Sequence, residues 1–128
     1  MKLIAASSIL VLVALVSCDS QGTTGAQFRR FFELPEFGKV TPESTRTALL
    51  RKFPAGTPAK EISTVLERSE ISKDKLNAYY PLDEKGQIVC RIYRGNKNLV
   101  DERYIISFYF DENRRLKNIE VKEALTGL

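Results

Sequence analysis

Arg103-Tyr104-Ile105-Ile106-Ser107-Phe108-Tyr109-Phe110 is the stretch that decides the fold. Its β-branched and aromatic residues favour a strand, and Tyr104, Ile106, Phe108 and Phe110 recur at every second position, so one side of that strand is apolar. Upstream, Ile88 to Arg94 alternates in the same way through Ile88, Cys90 and Ile92, and Gly95-Asn96-Lys97-Asn98 is expected to break it. Downstream, Asp111-Glu112-Asn113 turns the chain and Leu116 to Val121 makes a third strand with Ile119 and Val121 inward. Three such strands form an antiparallel meander whose apolar side needs a cover.

Two helices supply it. Thr41-Pro42-Glu43 opens the first: Thr caps, Pro occupies the position where its missing N–H costs nothing, and Glu sits in the favourable first turn. Ala48, Leu49 and Phe53 give it an apolar stripe before Pro54-Ala55-Gly56 stops it. Thr57-Pro58 is expected to start the second with the same cap, and Ile62, Val65 and Leu66 mark its buried face as far as Ser69. Nothing in this helical pair suggests a reader of DNA. From Glu70 to Gln87 the pattern is weak; a loop is expected, with Tyr79 and Tyr80 lying partly on the sheet. The fold class is therefore α+β: two short helices on a three-stranded antiparallel meander.

The N-terminus gives an address. Met1-Lys2 is a short positive start, and Leu3 to Ser17 is a 15-residue run of Leu, Ile, Val, Ala and Ser, shorter than the 20 or so residues a membrane span needs. It ends in Leu15-Val16-Ser17-Cys18, which resembles the lipobox of bacterial lipoproteins. The resemblance implies cleavage between Ser17 and Cys18, a diacylglycerol thioether on the Cys18 sulfur and a fatty acyl group such as palmitate on the new amine. Two or more acyl chains, at about 0.8 kcal/mol per buried CH₂, make release negligible. An uncleaved anchor, or cleavage elsewhere with Cys18 as an ordinary thiol, are the alternatives. Asp19 resembles the sorting signal that retains enterobacterial lipoproteins in the inner membrane, so an inner-membrane, periplasm-facing location is expected, with the outer membrane as the other option. Residues 18–27 are short of hydrophobes and contain two glycines, the composition of a flexible tether, which leaves 28–128 as a single domain after the 1–17 signal.

Phe28, Phe31 and Phe32 recur at helical spacing and Phe37 follows, too much apolar surface to leave in water. The segment is expected either to pack on the domain as a short helix and arm or to form a partner-binding patch.

Without its signal the chain keeps 19 Lys and Arg against 16 acids, and the basic residues are scattered. A net charge of +3 argues against a nucleic-acid partner and suits a solvated surface with, at most, weak attraction to anionic headgroups. With Cys18 acylated, Cys90 has no partner for a disulfide, and its place in an alternating strand makes it a buried small hydrophobe. There is no histidine, which removes the commonest general base and metal ligand. No Gly-x-Ser-x-Gly elbow, phosphate-cradling glycine loop or zinc spacing appears. The carboxylate pairs Glu61 with Glu67 and Asp111 with Glu112 are of the kind any charged domain contains, and the latter reads as a turn. No enzyme activity, cofactor or metal is expected.

The order of elements resembles the small bacterial lipoproteins of the SmpA/OmlA (BamE-like) type. The resemblance rests on the Gly56-Thr57 helix start with Leu66 downstream, the Tyr104 to Phe110 strand, and the Phe110-Asp111 turn into Leu116 and Ile119, over roughly residues 41–123. It implies the fold; the lipid anchor and the aromatic arm at Phe28 to Phe37 suggest a membrane-anchored, non-catalytic scaffold or accessory factor for an envelope protein complex. The alternative is a periplasmic inhibitor or immunity lipoprotein, suggested by a likeness to the helix-plus-sheet architecture of β-lactamase-inhibitor-like domains.

Overall fold

The computed structural model describes residues 22–35 and 37–127. The class is α+β, with one strand more than the three-stranded meander and, beside the two covering helices, the short helix that is one reading of the Phe28 segment. Helices α1 (Gly25–Phe32), α2 (Pro42–Lys52) and α3 (Ala59–Ser69) come first, followed by a single 3₁₀ turn at Ile71–Lys73. Strands β1 (Ala78–Tyr80), β2 (Gln87–Lys97), β3 (Val100–Phe110) and β4 (Leu116–Gly127) then form one antiparallel sheet in the order of the chain.

The tether expected over residues 18–27 is corrected from Thr23 onward. Thr24 and Gln27 make a capping box: the Thr24 hydroxyl accepts from the Gln27 N–H at 3.2 Å and the Gln27 side chain accepts from the Thr24 N–H at 2.7 Å. Thr23 is buried, and its N–H donates to the Tyr93 carbonyl at 2.9 Å, so the polar segment is part of the fold. Residues 18–21 and the 1–17 signal lie outside the described residues.

The helix that this box starts drives Phe28, Phe31 and Phe32 into the core. Phe28 stacks on Phe32 with centroids 6.1 Å apart and meets Tyr104 at 6.1 Å, while Phe32 meets Phe108 at 6.5 Å. Phe53, at the end of α2, meets the edge of the same Phe108 ring at 6.3 Å. Phe37 lies 5.6 Å from Phe28 and packs on the core from its margin. Of the two expectations for Phe28, Phe31, Phe32 and Phe37 the structure has the packed helix and not the partner patch: three of the rings are buried and the fourth half-buried, because their burial is what holds α1 on the sheet.

Helix α2 starts as expected, with Thr41 and Ser44 in reciprocal side-chain to backbone bonds at 2.9 and 3.0 Å and Pro42 in the first turn. The start of α3 differs. Thr57 is not its cap; the Thr57 hydroxyl donates to the Pro54 carbonyl at 2.7 Å, and Pro58 precedes the helix with no side-chain cap. The backbone here is drawn along the start of β4 instead. Gly56 N–H donates to Leu116 O at 2.8 Å, Leu116 N–H to Thr57 O at 2.8 Å, and Ala59 N–H to Arg114 O at 2.9 Å. Those bonds clamp the helical layer to the sheet.

Gly95 does not break its strand. It sits at a register shift, φ +130°, and β2 continues to Lys97, which pairs with Val100 across a two-residue turn. Asn98 and Leu99 fill that turn with φ of +54° and +68°, the conformation in which glycine is preferred. A leucine held left-handed costs about 1–2 kcal/mol. The sheet edges are closed piecewise. Beyond β1, which covers β2 only from Val89 to Arg91, the Asn77 side chain accepts from Tyr93 N–H at 2.9 Å and Thr23 bonds Tyr93 O. On the far edge Arg46 of α2 donates to Ile119 O and to the Asn118 side chain, both at 2.7 Å.

Phe108 touches rings from two helical segments, so Phe108→Ala should lower stability by about 3–5 kcal/mol in denaturant unfolding. Tyr80→Ala, at a ring 50% exposed, should change it by about 0.5 kcal/mol or less. Equal losses for the two would contradict the packing described.

Candidate functional site

The helices cover one face of the sheet and leave the other open. The residues opposite the buried set are Val89, Arg91 and Tyr93 on β2, Arg103, Ile105, Ser107 and Tyr109 on β3, and Asn118, Glu120 and Lys122 on β4. Registration makes them rows: Tyr80 beside Val89, Ser107 and Glu120, then Ala78 beside Arg91, Ile105 and Lys122. Of these only Ser107 is buried; Tyr80 is exposed, and Val89, Tyr93, Ile105 and Tyr109 are half-buried. Pairing across and along the strands fixes the polar groups. Tyr109 donates its hydroxyl proton to Glu120 at 3.0 Å, Lys122 lies 3.6 Å from Glu120, and Arg103 sits 3.6 Å from Asp101 with its guanidinium carbon 5.5 Å from the Tyr93 ring centre. Among the described residues Arg91 makes no ion pair and is exposed. The result is a pleated surface with three tyrosines, aliphatic residues between them and one unmatched positive charge. Tyr and Arg are the residue types that best anchor protein interfaces.

The residues considered for chemistry are dispersed. Cys90 is fully buried on the helical side, and burial pushes its thiol well above the ordinary thiol range. Glu61 and Glu67 are six positions apart on α3, about 240° around a helix, and do not converge. Glu67 is the acceptor for the Tyr79 hydroxyl at 3.5 Å, and burial raises the pKa of Tyr79, as it does that of Tyr104. Asp111 is committed to its turn, accepting from the N–H groups of Asn113 at 2.9 Å and Arg115 at 3.0 Å. Asp83 does the same for Lys85 and Gln87 at 2.9 and 3.0 Å. Between these two turns lies an open cleft of about 590 Å³, bordered by Leu82, Gly86, Phe110 and Arg114. Among the described residues no cluster of three or more Cys, Asp or Glu could hold a metal ion, and no helix is long and apolar enough to cross a membrane. Cys18, Ser17 and Asp19, the expected lipidation, cleavage and sorting residues, lie outside the described residues.

The alternation that revealed the buried face also marks the open one, since every second residue of β2 and β3 must face away from the core. Its tyrosines carried no motif, so only the registration exposes them as a group. Compared with known protein families, with curated proteins and with solved structures, the chain gives no match.

Native protein should resist thiol alkylation at Cys90 and react fully once unfolded. Because the folded chain holds the Cys90 proton more tightly than the unfolded chain, its contribution to stability is intact below about pH 8.5 and falls as pH rises above that value. Urea unfolding of Cys90→Ala should show a flatter alkaline decline than the parent. Rapid native alkylation, or an identical decline in the two, would refute the buried-thiol assignment.

Proposed function

We propose that this chain is a membrane-anchored, non-catalytic lipoprotein of the bacterial envelope that holds a protein partner against the open face of its sheet. The observation that carries the reading is the division of β3: its buried Tyr104 and Phe108 meet rings of α1 and of the end of α2, while Arg103, Ile105 and Tyr109 on the other side are only half-buried, around a buried Ser107. The partner surface that fits is mixed aromatic and polar, with a carboxylate to meet Arg91, the one cation of this face without an ion pair among the described residues. Attachment follows from the lipobox at Leu15 to Cys18, whose acyl chains would keep the domain at the membrane, with Asp19 favouring the inner membrane. The resemblance of roughly residues 41–123 to SmpA/OmlA-type lipoproteins, resting on Gly56-Thr57, Leu66 and the Tyr104 to Phe110 strand, agrees with a small lipid-anchored domain.

In cells, a photo-crosslinking amino acid at Ile105 should yield an adduct with a discrete envelope protein, while the same group at Asn113 in the far turn should not. Palmitate should label the protein and disappear in Cys18→Ser. An unlabelled parent would refute the anchor. Absence of any Ile105 adduct, with the protein present at normal level, would refute the use of the sheet face.

A further inference from the structure

The two most exposed large apolar side chains among the described residues are Leu99, at 70%, and Leu125, at 61%. Both lie at one end of the sheet. Leu99 is at the tip of the β2–β3 hairpin, and Leu125 pairs in register with Glu102, three residues along β3 from the tip. Val100, half-buried, continues the apolar character between them.

The chain also enters the fold here. Thr23 N–H bonds Tyr93 O, the Arg94 side chain donates to Thr23 O, and Gly22 lies so close to the Arg94 and Gly95 backbone that a Cβ would overlap it. The entry point is therefore pinned to β2 at Tyr93 to Gly95. From Gly95 the hairpin projects three residues to Asn98, about 10 Å along a strand. Cys18 precedes Gly22 by four residues, which span at most about 13–14 Å. A lipid on Cys18 can stand off from the entry point by little more than the hairpin already projects. Leu99, moreover, holds a left-handed conformation at a position where glycine would be unstrained, and at 70% exposure it buries little to compensate.

We propose that the Leu99 tip, with Leu125 behind it, inserts into the headgroup layer of the same membrane that holds the lipid anchor. The inference rests on the lipoprotein reading above. It makes the tip a second, weak membrane contact that fixes the orientation of the domain. The β3–β4 turn, about 33 Å away at the other end of the central strand, then points away from the bilayer.

The sequence contains no tryptophan, so one introduced indole is a clean reporter. The full chain carrying Leu99→Trp, Leu125→Trp or Asn113→Trp is produced in a bacterial host and reconstituted into phosphatidylethanolamine–phosphatidylglycerol vesicles with or without bromine-labelled acyl chains. All three should float with the vesicles. Emission from position 99 or 125 should shift to the blue and be quenched by the brominated lipid, while that from 113 should stay red and unquenched. Flotation with emission from 99 and 125 indistinguishable from 113 overturns the tip contact and leaves the anchor standing. Failure of all three to float, with no acyl group on Cys18 by mass spectrometry, overturns the anchor reading and the tip contact with it.

Discussion

Side-chain direction alternates along a strand, and on β3 that rule fixes everything else. Burying Tyr104, Ile106, Phe108 and Phe110 under the helices obliges Arg103, Ile105, Ser107 and Tyr109 to face the other way. Phe108 is the centre of the buried set, touched by Phe32 at the end of α1 and by Phe53 at the end of α2. Three short helices, each too brief to be stable alone, are held by that apolar layer rather than by their own backbone bonds. They can cover one side only. The second side of the sheet is left with tyrosines and aliphatics tied together by polar pairs across and along the strands, which keeps it ordered without burying it.

The clamp between helices and sheet is mostly backbone. Gly56 to Ala59 runs along Arg114 to Leu116, where Arg114 is left-handed, φ +60°, and the Arg114 and Leu116 carbonyls find donors in Ala59 and Gly56. Arg46 of α2 then covers the start of the β4 edge. From Glu120 onward that edge carries Glu120, Lys122 and Glu123, charges that discourage unwanted strand pairing.

The parts legible in the sequence were those with periodic apolar residues or a proline beside a cap. The Thr41-Pro42 start, the Leu49 and Ile62 stripes and the alternation of Ile88 to Ile92 and Tyr104 to Phe110 all correspond to elements of the fold. What was illegible depended on contacts distant in the chain. Strand β1 is three residues long and exists because Tyr79 meets Cys90. Thr57 looks like a cap by composition, yet β4 takes its backbone and leaves its hydroxyl to Pro54. The Thr24–Gln27 box did have a local signature, a threonine followed three residues later by glutamine, hidden in a polar run that reads as a linker. Gly95 reads as a breaker yet pairs with Glu102 directly after the bulge at Arg94, because the pairing with β3 on either side outweighs its preference. The open face was implicit in the same alternation as the core, but the rows that join Tyr80, Val89 and Ser107 need the register to be known.

Proposed as an adaptor, the molecule would work through two directions at right angles: the hairpin end toward the membrane and the open face toward a protein. The central claim is that adjacent residues of β3 do separate jobs, and Ile105 and Ile106 test it most directly. Thermal unfolding of Ile105→Lys and Ile106→Lys, run beside co-purification of the crosslinked envelope partner, should give opposite outcomes. The account predicts that Ile106→Lys, with a charge forced into the core, fails to give a cooperative transition. It predicts that Ile105→Lys unfolds within about 1 kcal/mol of the parent but no longer retains the partner. A Ile105→Lys variant as unstable as Ile106→Lys, or one that is stable and keeps its partner, would contradict it.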